Sequence, residues 1–225
     1  LWSRGLGDVY KRQVGGQSID AVVTTVAVDA GVSITSYDST SNPYSSTGYF
    51  QPNIQVTNAG AGGGVTFKFE FIKHGTYVDQ ANHGDAVVLQ NLQVNAYDID
   101  SSGGSDRQYQ EFGGFDTYTV GAGSTLAVTP NGSLTRFQAT TSTNNSALPG
   151  TVNGDKYRIQ ANYNATSEFQ AKIGVANAGG TAYFALDFSP GASFATPVTP
   201  ATFSVNDVMR NEADGTMTFT VTRAG

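Results

Sequence analysis

The sequence predicts an all-β protein whose main domain is an antiparallel, jelly-roll-like β-sandwich of about ten strands. Three observations support this fold class. Apolar and polar residues alternate with a period of two in several stretches, clusters of glycine, asparagine and serine separate those stretches, and no segment shows the apolar period of a helix. Strands that recur at roughly 8–12 residues with turns between them are typical of sandwiches and barrels.

The clearest predicted strands have one apolar and one polar face. Val65, Phe67, Phe69 and Phe71 share one face of such a strand, so we expect that face to be buried. The same pattern recurs in residues 157–163, 169–175 and 182–188. Leu89, Leu92, Val94 and Ala96 lead into Tyr97 and Ile99, an apolar stretch in which we expect both faces to be partly covered, as in a central strand of a two-sheet stack. Shorter predicted strands cover residues 21–28, 53–57, 115–120, 126–129 and 134–139.

Composition excludes several kinds of chemistry. The 225 residues include no cysteine, which rules out disulfides, thiolate metal sites and cysteine nucleophiles. The formal net charge of −6 argues against a nucleic-acid partner. No apolar run reaches the roughly 20 residues of a membrane-spanning helix, so we expect no membrane insertion within this sequence. Abundant glycine and only 13% charged residues favour a secreted or cell-surface protein.

Residues 1–13 (LWSRGLGDVYKRQ) share no pattern with the remainder of the chain. Their string SRGLGDVYKRQ resembles a translated sequencing-adapter read-through, which implies a non-native segment. We therefore leave these residues out of the predicted fold and assign the sandwich to residues 14–189. The chain begins without a methionine and ends soon after a strand-like run, residues 216–222. We expect it to be a fragment of a longer protein.

The C-terminal part predicts a second domain. Residues 190–200 (PGASFATPVTP) lack alternation and contain three prolines, which is typical of a linker. In residues 201–225, Asp214-Gly215 predicts a turn and the residues after it alternate with threonines. The run from Phe203 to Arg223 resembles the start of a Calx-beta domain, a β-sandwich found in bacterial surface and adhesion proteins. That resemblance implies a truncated domain in which Glu212 is a calcium ligand whose partners lie beyond the sequence.

A cluster of acidic residues in the main domain predicts a calcium site. The cluster comprises Asp98, Asp100, Asp106, Glu111 and Asp116. A D-x-D step that leaves a strand for a glycine- and serine-rich loop offers the carboxylate and carbonyl oxygens that calcium prefers. The spacing does not match an EF-hand loop. The alternative is a solvated polar loop in which the aspartates stabilise turns.

Aromatic residues beside this acidic loop predict a sugar-binding surface. Tyr97, Tyr109 and Phe112 are the candidates there, because aromatic rings stack on sugar faces. A second candidate surface combines residues 37–42 with Tyr44 and Tyr49. The alternative in both cases is ordinary packing of the rings against the domain.

No standard catalytic motif is present in the sequence. Glu70 and Glu168 could form the carboxylate pair of a glycosidase, but both lie on the polar face of an alternating strand, where solvent-facing acids are ordinary. His74 and His83 fit no zinc-ligand spacing. The sequence therefore favours a non-enzymatic structural or adhesive module of a multidomain extracellular bacterial protein, with glycans or neighbouring surface domains as partners. A calcium-dependent carbohydrate-binding module is the second hypothesis, and a sandwich-fold glycoside hydrolase or lyase is the third.

Overall fold

The computed structural model describes residues 8–14, 17–39, 49–58, 60–101, 106–121, 123–144, 156–177, 179–188, 193–194, 202–205 and 221–224. Within these ranges the chain forms strands and no helix. The strands are β1 (Asp8–Val14), β2 (Gln17–Val28), β3 (Val32–Ser36), β4 (Asn53–Val56), β5 (Gly63–Lys73), β6 (Leu89–Tyr97), β7 (Arg107–Gly113), β8 (Thr117–Val120), β9 (Leu126–Asn131), β10 (Leu134–Ala139), β11 (Ile159–Thr166), β12 (Glu168–Ala176), β13 (Gly180–Tyr183), β14 (Ala185–Phe188), β15 (Ser193–Phe194), β16 (Thr202–Val205) and β17 (Val221–Ala224). The predicted all-β fold is confirmed.

Two large antiparallel sheets form the sandwich. The seven-stranded sheet has the order β1-β2-β5-β12-β7-β10-β9. The five-stranded sheet has the order β14-β6-β11-β8, with β15 also paired to β6. A small third sheet, β13-β4-β3, contributes to the same core. The prediction that residues 89–99 contain a central strand is confirmed, because β6 lies between β11 and the pair β14 and β15.

The core lies between the inner faces of the two large sheets. Phe67, Phe69 and Phe169 are buried on the seven-stranded side, and Phe69 stacks on Phe169 with ring centroids 4.7 Å apart. Leu92 and Val94 face them from the five-stranded side. The predicted apolar faces of residues 65–71 and 169–175 are thus the ones that are buried, because the side chains of a strand alternate between its two faces.

Two elements differ from the sequence predictions. Residues 107–113 were assigned to a polar loop, but they form β7, which pairs with β12 and β10 in the interior of the seven-stranded sheet. Gln108 and Gln110 face the core beside Phe112, and the Gln110 side chain donates a hydrogen bond to the Tyr97 carbonyl at 2.8 Å. Polar residues on a core-facing row remove the alternation by which a strand is recognised. The predicted strand at residues 182–188 is divided between β13 and β14, which belong to different sheets.

Residues 8–13, which were left out of the predicted fold, form the edge strand β1 together with Val14. Each residue from Asp8 to Val14 pairs in register with β2, from Val23 back to Gln17. This pairing concerns conformation only, so the non-native origin of the segment stays a prediction. On its other edge, β2 pairs with β5 from Ile19 to Val28, with a bulge between Thr25 and Ala27.

The chain divides into two compact units, residues 1–194 and residues 195–225. The first contains the sandwich. In the second, β16 and β17 pair antiparallel from Thr202–Ala224 to Val205–Val221. The predicted Asp214-Gly215 turn and Glu212 lie outside the described residues. No helix in the described part of the chain is long and apolar enough to cross a membrane.

Candidate functional site

Three of the predicted calcium ligands lie in the connection between β6 and β7. Asp98 has a positive φ of 64°, a conformation that aspartate tolerates better than most residues and that turns the chain out of β6. Asp100 and Asp106 are each 3% exposed, and Ser101 Oγ donates a hydrogen bond to Asp106 Oδ1 at 2.9 Å. These three residues are the part of the acidic cluster that the fold keeps in one loop.

The other two predicted ligands of the main domain lie elsewhere. Glu111 is on the outer face of β7, where its Oε1 accepts hydrogen bonds from Arg136 Nε at 2.6 Å and Asn131 Nδ2 at 2.9 Å. Asp116 follows β7 and accepts a hydrogen bond from the Asn164 backbone N–H at 2.6 Å. Asp106 and Asp116 flank opposite ends of the seven-residue β7, which is about 20 Å long. In the described ranges, no three acidic or histidine side chains form a group that could hold a metal ion.

The predicted sugar-stacking aromatics are buried. Phe112 is in the core between the sheets. Tyr109 lies on the outer face of β7, where the Arg136 guanidinium is 3.9 Å from its ring centroid. The same ring covers Gly174, where an added Cβ would lie 2.3 Å from Tyr109 Cζ. Burial raises the pKa of Tyr109. Neither ring offers an exposed face to a sugar.

The outer face of the seven-stranded sheet carries paired charges. Lys68 Nζ contacts Glu70 Oε1 at 3.1 Å and Glu168 Oε2 at 2.8 Å. The hydrogen bond to Glu168 is the main cause that raises the pKa of Lys68. The two carboxylates considered for a glycosidase therefore share one ammonium group. Both histidines also pair with acids on this sheet, His83 with Glu70 and His74 with Asp20, each at 2.8 Å.

The outer face of the five-stranded sheet carries a hydrogen-bond network that consists mainly of amides and hydroxyls. Asp187, Asn95, Gln160 and Thr119 are register partners on the successive strands β14, β6, β11 and β8. Asn95 Nδ2 donates to Asp187 Oδ1 at 2.6 Å, and Gln160 Nε2 donates to Asn95 Oδ1 at 3.0 Å. We call these four residues, with the adjacent Gln93, Asn162 and Thr117, the polar ladder.

Tyrosine rings lie at one end of the polar ladder. Tyr97 OH donates to Asp187 Oδ2 at 3.3 Å, and the Tyr97 and Tyr49 rings meet edge to face with centroids 5.7 Å apart. The Arg158 guanidinium is 6.0 Å from the Tyr97 ring centroid. Burial, and then the charge of Asp187, raise the pKa of both tyrosines, so both phenols stay protonated and can donate hydrogen bonds.

Sequence reasoning singled out Tyr97 and Tyr49 but placed them on separate surfaces. The fold brings them together because Phe50, next to Tyr49, forms a bridge to Leu186 on β14, the strand beside β6. The ladder itself was missed. Its amides alternate with apolar residues in β6 and β11 and so have the pattern of ordinary solvent-facing positions, and only the strand order shows that they form one row.

No protein family and no curated protein matches this sequence. Solved structures are similar to it, among them two proteins of streptococci. The N-terminal domain of the Streptococcus gordonii adhesin Sgo0707 is 13% identical with a TM-score of 0.49, and the match covers 89% of this chain and 49% of that one. Glucan Binding Protein C of Streptococcus mutans is 10% identical with a TM-score of 0.39, and the match covers 83% of this chain and 61% of that one. The chain thus spans about half of the adhesin domain chain. Because both TM-scores are below 0.5, the assignment of the fold rests on the strands and core of this chain itself.

Proposed function

We propose that this chain is a non-catalytic structural and adhesive module of a multidomain bacterial protein that is secreted or displayed at the cell surface. One observation carries the proposal. A sandwich with one continuous core is followed by a second compact unit, residues 195–225, with its own strand pair. Such a serial arrangement is typical of chains built from successive β-domains, and the Calx-beta resemblance of residues 201–225 supports the same setting.

The adhesive part of the proposal is supported by the outer faces of the sandwich. A binding surface is most effective when its side chains are held in place before the partner arrives. On both large sheets the outward side chains are fixed by contacts across the strands, through ion pairs around Lys68 on one face and through amide hydrogen bonds around Asn95 on the other. Either face offers a partner a surface that is already ordered.

The test is adhesion of the whole chain. Beads coated with the protein are allowed to settle on bacterial cells and on cultured mammalian cells, and the fraction retained under flow is counted against beads coated with albumin. Retention well above the albumin control is expected for at least one cell type. Retention at the albumin level on every surface would contradict the adhesive function.

A reducing-end assay tests the non-catalytic part. The protein is incubated with soluble polysaccharides, and the release of new reducing ends is measured. No release above a buffer control is expected, because Lys68 lies between Glu70 and Glu168 and holds both carboxylates that a glycosidase would use in ion pairs. Release that is lost in Glu168→Gln would overturn this part and favour the hydrolase hypothesis.

A further inference from the structure

We propose that the polar ladder on the outer face of the five-stranded sheet binds an uncharged polysaccharide chain through direct hydrogen bonds, without a metal ion. This inference rests on the adhesive function proposed above and names the class of its ligand. It differs from the sugar site expected from the sequence, because it uses neither the acidic loop nor Tyr109 and Phe112.

The dimensions of the ladder suit an extended chain. Asp187, Asn95, Gln160 and Thr119 lie side by side on four neighbouring strands. Adjacent strands are about 4.8 Å apart, so the row is about 14 Å long. An oligosaccharide laid across the strands would meet Asp187, Gln160 and Thr119, while Asn95, which is 2% exposed, holds the side chains of Asp187 and Gln160 from below.

A second row runs parallel to the first. Gln93, Asn162 and Thr117 are register partners on β6, β11 and β8, two residues along each strand. Asn162 Nδ2 lies 3.3 Å from Thr117 Oγ1. The rows are about 7 Å apart, because a strand advances about 3.4 Å per residue. A polysaccharide seated on the first row therefore has hydrogen-bonding groups along its side as well as beneath it.

The chemistry of the ladder matches vicinal hydroxyl groups. Each amide offers both a donor and an acceptor, and each threonine hydroxyl offers both as well. Sugar hydroxyls likewise donate and accept. The side chains at the centre are already oriented, because Asn95 is held between Asp187 and Gln160, so little side-chain entropy is lost when a ligand binds. Tyr49, half-buried at the end of the row, adds an aromatic ring.

The charges at the polar ladder argue against a nucleic acid or an acidic polysaccharide as the ligand. Asp187 and Arg158 are the two charged side chains named at this site, and their charges are opposite. Binding to nucleic acid or to an acidic polysaccharide depends on several unopposed lysines or arginines. The cations Lys68, Lys172 and Arg136 lie on the other sheet, where each contacts a carboxylate. An uncharged polyol is therefore the ligand that fits this face.

Affinity electrophoresis of the full chain tests the proposal. Native gels contain dextran, mixed-linkage β-glucan or galactomannan as neutral probes, polygalacturonate as an acidic probe, and EDTA throughout. At least one neutral polysaccharide is expected to retard the wild-type protein. Gln160→Ala and Thr119→Ala should each weaken that retardation about tenfold. The matched control is Gln170→Ala, the same substitution at an exposed position on the outer face of β12, and it should leave the retardation unchanged.

Several outcomes would overturn the inference. The inference is wrong if no neutral probe retards the protein, or if polygalacturonate alone retards it. It is also wrong if Gln160→Ala and Gln170→Ala weaken the retardation equally. Because Thr119 is exposed, Thr119→Ala is expected to have the same melting temperature as the wild type. This variant therefore keeps the test valid if Gln160→Ala unfolds. If the coated beads adhere to cells while no neutral probe retards the protein, the ligand class is wrong and the adhesive function stands. If the probes retard the protein while the beads do not adhere, the ligand class stands and the adhesive function is wrong.

Discussion

The ion pair between Arg136 and Glu111 should stabilise the sandwich far more than the ion pairs around Lys68. The Glu111 side chain is 1% exposed, and Arg136 contacts its Oε1 through Nε and Nη2, both at 2.6 Å. Removing Arg136 leaves a carboxylate buried without its cation, which costs about 3–5 kcal/mol in fully buried pairs. Since Arg136 is 26% exposed and Asn131 still donates to Glu111, we expect Arg136→Ala to cost about 2–3 kcal/mol.

Lys68→Ala is the matched control. Lys68 and its partner Glu168 have side chains that are 28% and 55% exposed, so water replaces much of their interaction. Exposed ion pairs contribute about 0–1 kcal/mol. Urea unfolding at neutral pH compares the two variants. With a denaturant slope of about 2 kcal/mol/M, Arg136→Ala should lower the midpoint by about 1 M or more, and Lys68→Ala by less than half of that.

A second substitution separates the buried charge from lost packing. Arg136 also covers the Tyr109 ring, so Arg136→Ala removes contacts as well as a cation. Adding Glu111→Gln to Arg136→Ala replaces the unpaired carboxylate with a neutral amide of the same shape and should restore at least 1 kcal/mol. The reasoning is refuted if Arg136→Ala and Lys68→Ala lower stability equally, or if Glu111→Gln brings no recovery.

Three further predictions concern the core, alkaline pH and calcium. Phe169→Ala should cost about 3–5 kcal/mol in urea unfolding, because it removes a ring that is 4% exposed and stacked in the core, whereas the exposed neighbour Gln170→Ala should stay within about 0.5 kcal/mol. Burial raises the pKa of Tyr163, so its contribution to stability is complete below about pH 10 and is lost as the pH rises further, by about 1.4 kcal/mol per pH unit; Tyr163→Phe should flatten the fall of stability between pH 10 and 11, and an unchanged slope would count against this explanation. If calcium raises the melting temperature, the shift should vanish in Asp100→Ala and persist in Asp116→Ala, since the fold keeps only the first in the loop between β6 and β7; a shift that survives Asp100→Ala would place the ion elsewhere.

Much of the strand pattern could be predicted from local sequence. Val65, Phe67, Phe69 and Phe71 are buried as expected, because side chains of a strand alternate between two faces whatever the neighbouring strands are. The prediction of β10 at residues 134–139 agrees with the structure residue for residue. These elements were recognisable because the positions that tertiary packing buries are apolar and recur at every second residue of the strand.

β7 shows where local reasoning stops. Its core-facing positions include Gln108 and Gln110, which the fold accommodates between β12 and β10, with Gln110 hydrogen-bonded to the Tyr97 carbonyl. A glutamine is acceptable in a core only when such a partner is present, and the partner lies on another strand. The sequence around Gln110 therefore does not indicate that this partner exists.

The candidate site divides in the same way. By itself the sequence determined the all-β class, the apolar core faces and the identity of the polar residues between them, because these depend on neighbours along the chain. The tertiary structure alone decided that Asp187, Asn95 and Gln160 form one row and that Glu111 pairs with Arg136 while Asp106 binds Ser101. Those contacts join residues as far as 92 positions apart, and they exist only because strand order and register place distant segments about 5 Å from one another.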